Sequence, residues 1–151
     1  MSKHLEYREA FGLLTGHKLS EGSSRKVYIC RIDPSLVVKK EMKRNSFQNI
    51  VEWEVWTSAW DKKLLSKWFA PCMHISGCGT LLVQARTFPI KSSDLPKKIP
   101  EFMTDTKIQN WGWYQDRPVC HDYGTMVVGF LQKKHQLVKA EWWNEETDYL
   151  K

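Results

Sequence analysis

The segment from Asp105 to Gly124 constrains the fold of this chain more than any other stretch of the sequence. Asp105 is followed five residues later by Asn110, and the segment ends in Asp122-Tyr123-Gly124. Between them, short apolar runs flank Asp116, which predicts a small β-hairpin. Taken singly, Asp105 and Asn110 could cap turns, and the last three residues could form a plain loop. All three features in this order are much more specific than any one of them.

The composition indicates a single folded domain over residues 1–151. Apolar residues make up 42% of the chain, enough for a hydrophobic core, and 26% charged residues with 6 prolines do not point to disorder. The longest uncharged apolar runs are much shorter than a membrane span, and the first residues lack the apolar core of a signal peptide. We therefore expect a cytoplasmic protein without a membrane partner.

The charge balance favours anionic partners. A net charge of +6, from 23 basic and 17 acidic residues, suits nucleotides, nucleic acid or acidic protein surfaces. The basic residues are scattered as pairs and form no stripe on one helix. The 8 tryptophans are more typical of a core or a protein interface than of base stacking. We therefore expect a nucleotide and a protein as partners rather than nucleic acid.

The four cysteines form no C-x-x-C pair. Cys72, His74 and Cys78, joined by Cys120 or His121, could in principle ligate zinc, but their spacing is irregular and no second knuckle follows. We expect reduced, mostly buried thiols instead, as is usual in a cytoplasmic protein.

The first half of the chain predicts strands followed by one main helix. The run from Val27 to Ile32 and the run after Asp33-Pro34 read as strands joined by a turn. Asn45 is the expected N-cap of the helix, and Pro71 ends the helix at the latest. Helical spacing is carried by Ile50, Trp53, Trp56, Trp60 and Leu64. Two more strands are expected around His74-Ile75 and from Thr80 to Ala85, which makes a mostly antiparallel sheet.

In this order the elements resemble the protein-kinase family. Its catalytic-loop aspartate is followed five residues later by asparagine, then by a hairpin and by Asp-Phe-Gly, which Asp105, Asn110 and Asp122 match. The resemblance implies that Asp105 takes or orients the proton of a substrate hydroxyl, assisted by Lys107. Asn110 and Asp122 would bind Mg²⁺, because both offer hard oxygen ligands. Gly124 would allow a sharp backbone turn beside the metal.

The stretch from Leu19 to Tyr28 resembles the glycine-rich loop of the family without gaps. Only the middle glycine, Gly22, is present, and Ser20 and Arg25 stand at the outer two positions. A backbone amide cradle needs close approach to phosphate, so serine hydroxyls or Arg25 would have to replace part of it. The resemblance implies a nucleotide-binding role for Ser20, Gly22, Ser23, Ser24 and Val27.

A lysine on the third strand and a glutamate on the helix should complete the phosphate site. Lys39 matches the family position, and its rival Lys40 faces the other side of the strand. Glu52 and Glu54 compete to hold that lysine. We favour Glu52, because it shares its helical face with apolar residues that point toward the sheet.

The resemblance implies an α+β, protein-kinase-like fold with a five-stranded antiparallel N-lobe sheet and one main helix. Residues 17–85 would form the N-lobe, with adenine docking on a hinge that includes Gln84 and Ala85. Residues 86–151 would form a truncated C-lobe that carries the catalytic loop and the Asp-Tyr-Gly hairpin. The connector between Val83 and Asp105 is too short for the long helices of ordinary kinases.

Two functions from different classes follow. The first is ATP- and Mg²⁺-dependent Ser/Thr phosphoryl transfer to a protein or to the chain itself. The alternative is a weak or inactive kinase-like module that docks on a protein partner. A small-molecule phosphotransferase is a third hypothesis, since such enzymes also use an aspartate followed by an asparagine. The chain is similar to compact kinase-like proteins of phages and bacteria, which would place it in a host cytoplasm. A homodimer that completes the missing lobe remains open.

Overall fold

A computed structural model of the protein describes residues 11–127, 129, 131 and 134–145. Its main feature is a five-stranded antiparallel sheet with the order β1-β2-β3-β5-β4. The strands are β1 (Thr15–Glu21), β2 (Arg25–Cys30), β3 (Leu36–Glu41), β4 (Cys72–Ile75) and β5 (Leu81–Ala85). The α+β class and the five-stranded antiparallel sheet are therefore confirmed.

The central strand β3 is fixed by the turn that precedes it. Asp33 accepts a backbone hydrogen bond from Leu36 N at 3.0 Å, and its carboxylate accepts another from Ser35 N at 3.0 Å. Val37 and Val38 are buried at the middle of the sheet. The turn that Asp33-Pro34 predicts is thus present, and it delivers Lys39 at a defined register opposite Val27 and Leu82.

The main helix, α1 (Gln48–Ala59), begins later than predicted. Asn45 is not its N-cap, since the cap position is taken by Phe47, with a φ of 53° and no side-chain hydrogen bond. Glu41, at the end of β3, instead accepts hydrogen bonds from Asn49 N at 2.7 Å and from the Ser46 hydroxyl. A distant carboxylate therefore satisfies a helix amide that a local cap would normally satisfy.

The helical pattern expected to continue to Leu64 is divided into two helices. After α1 ends, Lys62 adopts an extended backbone and a short helix α2 (Lys63–Ser66) follows. Leu64 is 79% exposed and Trp60 is 62% exposed, so these two residues do not contribute to the core. None of the helices among the described residues is long and apolar enough to cross a membrane.

The second half of the chain packs under the sheet and shares its core. Its strands are β6 (Lys98–Pro100), β7 (Trp111–Tyr114), β8 (Arg117–Cys120) and β9 (Leu137–Lys139). The predicted hairpin is confirmed as β7 and β8, and a turn at Gln115 and Asp116 joins them. β6 pairs with β9. The shared core includes Val55, Phe69, Leu82, Ile99, Phe102, Trp111 and Tyr123.

Backbone hydrogen bonds tie the hairpin to the chain on both sides. Phe88 N and Trp113 O are 2.9 Å apart, and Trp113 N and Phe88 O are 2.8 Å apart. Gly112 permits this approach, because a Cβ there would lie 2.8 Å from Phe88 O. On the other side, Ala70 N donates to Cys120 O at 2.9 Å. The hairpin therefore holds its two flanking loops at a fixed place below Lys39.

Candidate functional site

A cleft of about 410 Å³ lies between the turn that joins β1 to β2 and the loops on either side of the hairpin. Most of the residues that the sequence predicts for the site border it. They are Ser20, Gly22, Ser23, Ser24, Val27, Lys39, Asp105, Lys107, Asn110 and Asp122. Residues far apart in the chain thus meet at one opening whose volume suits a small ligand.

Lys39 and Glu52 form a buried ion pair behind the cleft. Lys39 Nζ lies 2.6 Å from Glu52 Oε1, and the two residues are 3% and 0% exposed. The same ammonium also donates to the backbone carbonyl of His121. Lys40 instead lies over the Phe11 ring, 4.5 Å from its centroid. The structure therefore selects Lys39 for the cleft.

The helix presents its two candidate glutamates differently. Glu52 lies on the buried face of α1, whereas Glu54 is exposed. Strand β3 and helix α1 thus bring opposite charges together from distant positions in the sequence. The geometry agrees with the choice of Glu52 over Glu54.

Sequence analysis named Arg25 only as a partial substitute for a missing glycine, and its contacts with Glu52 and Asp122 were not predicted. Its side chain is 6% exposed, and Nη1 donates to both carboxylate oxygens of Glu52, at 2.8 and 2.9 Å. Nη2 pairs with Asp122 Oδ1. A signal was available, because Arg25 is two residues from Val27 and therefore projects from the same face of β2.

The charges around Asp122 favour its ionised form. Burial opposes ionisation, but the cations of Lys39 and Arg25 outweigh it and hold the pKa of Asp122 below its usual value. Burial likewise opposes the charge of Arg25, yet Glu52 and Asp122 raise its pKa. The charges of two cations and two carboxylates thus cancel within one cluster. Asp122, whose side chain is 48% exposed, is the member that faces the cleft.

Asp105 and Asn110 contact each other at the floor of the cleft. Asn110 Nδ2 donates to Asp105 Oδ2 at 3.0 Å, and Asp105 Oδ1 accepts a hydrogen bond from Lys107 N at 3.3 Å. The amide nitrogen of Asn110 is thereby committed to Asp105, which leaves its amide oxygen for a cation or another donor. The second oxygen of Asp122 offers the same. The donor set fits Mg²⁺, which prefers oxygen ligands.

The other potential metal ligands of the sequence are its cysteine, histidine and carboxylate side chains. Within the described ranges, no group of three or more His, Cys, Asp or Glu side chains is arranged to hold a metal ion. Mg²⁺ needs no such cage, since it usually keeps waters and binds through one or two carboxylates plus phosphate oxygens. Cys72 and Cys120 are buried while Cys78 is exposed. Burial raises the pKa of Cys72 to about 12.

His121 links the loop after β5, at Thr87, to the segment that precedes β7, at Gln109. Its Nε2 lies 2.8 Å from the carbonyl oxygen of Gln109, so this nitrogen carries the proton. Its Nδ1 then accepts from the Thr87 hydroxyl, at 2.7 Å. Burial, reinforced by the charge of Lys39, lowers the pKa of His121 to about 4. The imidazole is therefore neutral, and its two ring nitrogens bridge Thr87 and Gln109.

Gly124 is required for a reason other than the expected one. Its φ is outside the left-handed region, so it makes no turn that only glycine could adopt. A Cβ there would instead lie 2.9 Å from Gln48 O, at the start of α1. The neighbouring Tyr123 anchors the segment, since its hydroxyl donates to Ala70 O at 2.7 Å. The expected sharp turn is therefore wrong as the reason for this glycine, which instead lets the backbone approach the start of α1 closely.

The structure does not bring Gln84 and Ala85 to the cleft. Both are buried, at 0% and 2% exposure, because β5 stays paired with its neighbours as far as these residues. Ala85 N donates to Pro71 O at 2.8 Å, and Arg86 N donates to Ser35 O at 2.9 Å. The amides that were expected to meet adenine are therefore already satisfied within the protein.

A C-terminal segment, residues 141–145, contacts residues 106–108, which follow Asp105, and was not predicted to do so. Ile108 N donates to Trp143 O at 2.9 Å, and Trp143 N donates to Thr106 O at 3.2 Å. Glu145 borders the cleft, and its carboxylate lies 2.6 Å from Lys107 Nζ. Lys107, predicted to assist catalysis, is therefore paired with an acidic residue of the same chain.

A comparison with the models of known protein families and with curated proteins finds no match to this chain.

Proposed function

We propose that this chain binds ATP with Mg²⁺ in the cleft below Lys39 and transfers the γ-phosphoryl group to a serine or threonine hydroxyl. The acceptor would belong to a protein partner or to the chain itself. The observation that carries the proposal is the buried Lys39–Glu52 pair, which lies beside the ionised Asp122. Buried ion pairs contribute little to stability compared with apolar packing, so their presence at an opening favours a functional role.

The phosphates would be held by one cation and by the turn between β1 and β2. Lys39 lies at the back of the cleft, where it can neutralise phosphate charge. Ser23 and Ser24 border the same opening and offer hydroxyl donors in place of the missing glycines. The Gly22 amide donates to Arg25 O at 2.9 Å, so the turn is braced rather than open.

Asp105 would serve the acceptor side of the reaction. Its carboxylate is exposed to the cleft and is oriented by Asn110 and by Lys107 N. The acceptor oxygen attacks the γ-phosphorus while the bond to the β-phosphate oxygen breaks, and ADP leaves with the electron pair. Asp105 takes the hydroxyl proton. Bound Mg²⁺, held by Asn110 and Asp122, would neutralise charge on the phosphates.

Nucleotide binding tests the proposal directly. We expect Lys39→Met and Asp122→Asn each to weaken binding of ATP in the presence of Mg²⁺ by about tenfold or more, since the first removes a cation that would meet the phosphates and the second removes a carboxylate ligand of the Mg²⁺. Lys40→Met is the matched control, because Lys40 lies on the opposite face of the same strand. The measurement is a calorimetric titration with a parallel thermal-shift assay, in which ligand at 100 times its Kd adds about 2.7 kcal/mol.

Absence of saturable ATP binding by the unmodified protein would contradict the proposal. Transfer of γ-labelled phosphate to added protein or to the chain then separates an enzyme from a binding module. We expect labelling to require Asp105, and Asp105→Asn to abolish transfer while ATP binding remains.

A second function, a kinase-like module that binds a protein partner without catalysis, is supported by one observation. Lys107 is paired with Glu145, and Trp143, at 40% exposure, covers the catalytic loop beside them. This arrangement places an acidic group where a substrate hydroxyl would have to approach. ATP binding without any transfer of label would favour this second function.

A further inference from the structure

Arg25 is held in the cleft by acceptors that are themselves fixed. Asn49 is fully buried, and its Nδ2 donates to the carbonyls of Lys39, Gly79 and Thr80 at 3.0, 3.1 and 2.9 Å. Its Oδ1 is therefore aimed at Arg25 Nη1, 3.2 Å away. Together with Glu52, this amide orients the guanidinium before any ligand arrives. Arg25 is thus a built part of the site rather than a mobile surface side chain.

The guanidinium also uses part of the carboxylate that would bind metal. Nη2 pairs with Oδ1 of Asp122. One oxygen of Asp122 then remains for a divalent cation. In protein kinases the corresponding aspartate and the catalytic-loop asparagine hold two Mg²⁺ ions. Two such ions at Asp122 would stand beside both Arg25 and Lys39, so four cations would crowd around one carboxylate whose Oδ1 is already paired with Arg25.

We propose that Arg25 replaces one of the two metal ions, so that the site binds its nucleotide with a single divalent cation. This inference rests on the proposed nucleotide site and deepens it. The sequence explains why a cation is present here. Arg25 stands where the third glycine of the resembled loop would be, and a glycine there would have no side chain to contact Asp122. A fixed cation on the protein takes over the neutralisation that a second metal ion would supply.

The number of bound Mn²⁺ ions tests the proposal. Mn²⁺ is titrated against the whole chain with a non-hydrolysable ATP analogue and followed by electron paramagnetic resonance. We expect one Mn²⁺ per protein in the unmodified chain and in Arg25→Lys, and two in Arg25→Gly. Two ions in the unmodified protein would overturn the proposal without any variant. One ion in both the unmodified protein and Arg25→Gly would overturn it as well.

Titration of Mn²⁺ without nucleotide separates this proposal from the proposed function. We expect Arg25→Gly to bind Mn²⁺ about tenfold more tightly than the unmodified protein, because a unit cation beside Asp122 has been removed. Asp122→Asn in the same background should abolish that gain. If Arg25→Gly and the unmodified protein bind Mn²⁺ with equal affinity, the role of Arg25 is overturned even if ATP binds. If Arg25→Gly binds Mn²⁺ more tightly but the protein does not bind ATP, the effect of Arg25 on the metal stands and the nucleotide site is overturned. If Arg25→Gly does not fold, Arg25→Ala takes its place.

Discussion

At the scale of single residues, Glu52 supports the site without touching the cleft. It accepts hydrogen bonds from Arg25 and Lys39, and none of its surface is exposed. Both cations are almost fully buried with it, so neither regains much water if the carboxylate is lost. The penalty for removing one partner of such a group is much larger than the gain from forming it.

We therefore expect Glu52→Ala to lower the free energy of unfolding by about 3–5 kcal/mol, because it leaves two buried cations without their shared carboxylate. Glu54→Ala, on the exposed face of the same helix, should change it by less than about 0.5 kcal/mol. Urea unfolding followed by tryptophan fluorescence measures both. Similar losses in the two variants would show that the helix, and not the ion cluster, determines the effect.

Sequence patterns identified the residues at this scale only where their role follows from position. Lys39 and Asp122 could be predicted because strand alternation and an ordered motif point to them. Arg25 could not be interpreted in the same way, since the resemblance marks its position as one for glycine. Its partners, Glu52 and Asp122, are 27 and 97 residues away in the chain. Strand alternation can place Arg25 on the same face as Val27, but only the folded structure shows which carboxylates it contacts.

At the scale of secondary-structure elements, the five-stranded sheet, the hairpin and the Lys39–Glu52 contact were predictable, but other contacts between elements were not. The start of α1 differs from its prediction because Glu41, on another element, accepts the hydrogen bond from the helix amide of Asn49. The segment 141–145 contacts residues 106–108 through hydrogen bonds between residues about 35 positions apart. No local pattern carries that information.

The acidic end of this segment should oppose binding of an anionic ligand. We expect Glu145→Gln to tighten ATP binding about two- to tenfold, because a negative charge that borders the cleft is removed. Stability should change by less than about 1 kcal/mol, since the Lys107–Glu145 pair is partly exposed. The measurement is an ATP titration at low and at physiological salt.

Glu141→Gln is the matched control for that prediction. Glu141 belongs to the same segment, but it is 81% exposed and pairs with Lys139 away from the cleft. An equal effect of both substitutions would attribute the change to overall charge rather than to the position of Glu145. The gain from Glu145→Gln should also shrink as salt screens the carboxylate.

At the scale of the whole molecule, the part of the cleft around Lys39 and Asp122 is lined by charged side chains, whereas the amides after β5 are bonded within the protein. Lys39, Arg25 and Asp122 are oriented by buried partners, and Asp105 faces them across the opening. The backbone after β5 donates its amides to Pro71 and Ser35 instead of presenting them to a base. The backbone amides that follow β5 are therefore bonded within the protein and are not available to a ligand.

Nucleotide selectivity follows from this uneven construction. A site that hydrogen-bonds a particular group discriminates strongly against analogues that lack it, whereas a site without such bonds discriminates weakly. Because the amides of Ala85 and Arg86 are engaged within the protein, we expect ATP and GTP to bind within about tenfold of each other. Competition of each nucleotide against a fluorescent ATP analogue, with Mg²⁺ present, measures the ratio. A preference for ATP of about a hundredfold or more would contradict this prediction. It would mean that the amides after β5 leave their partners in the protein and bind the adenine, since no other described backbone segment was expected to do so.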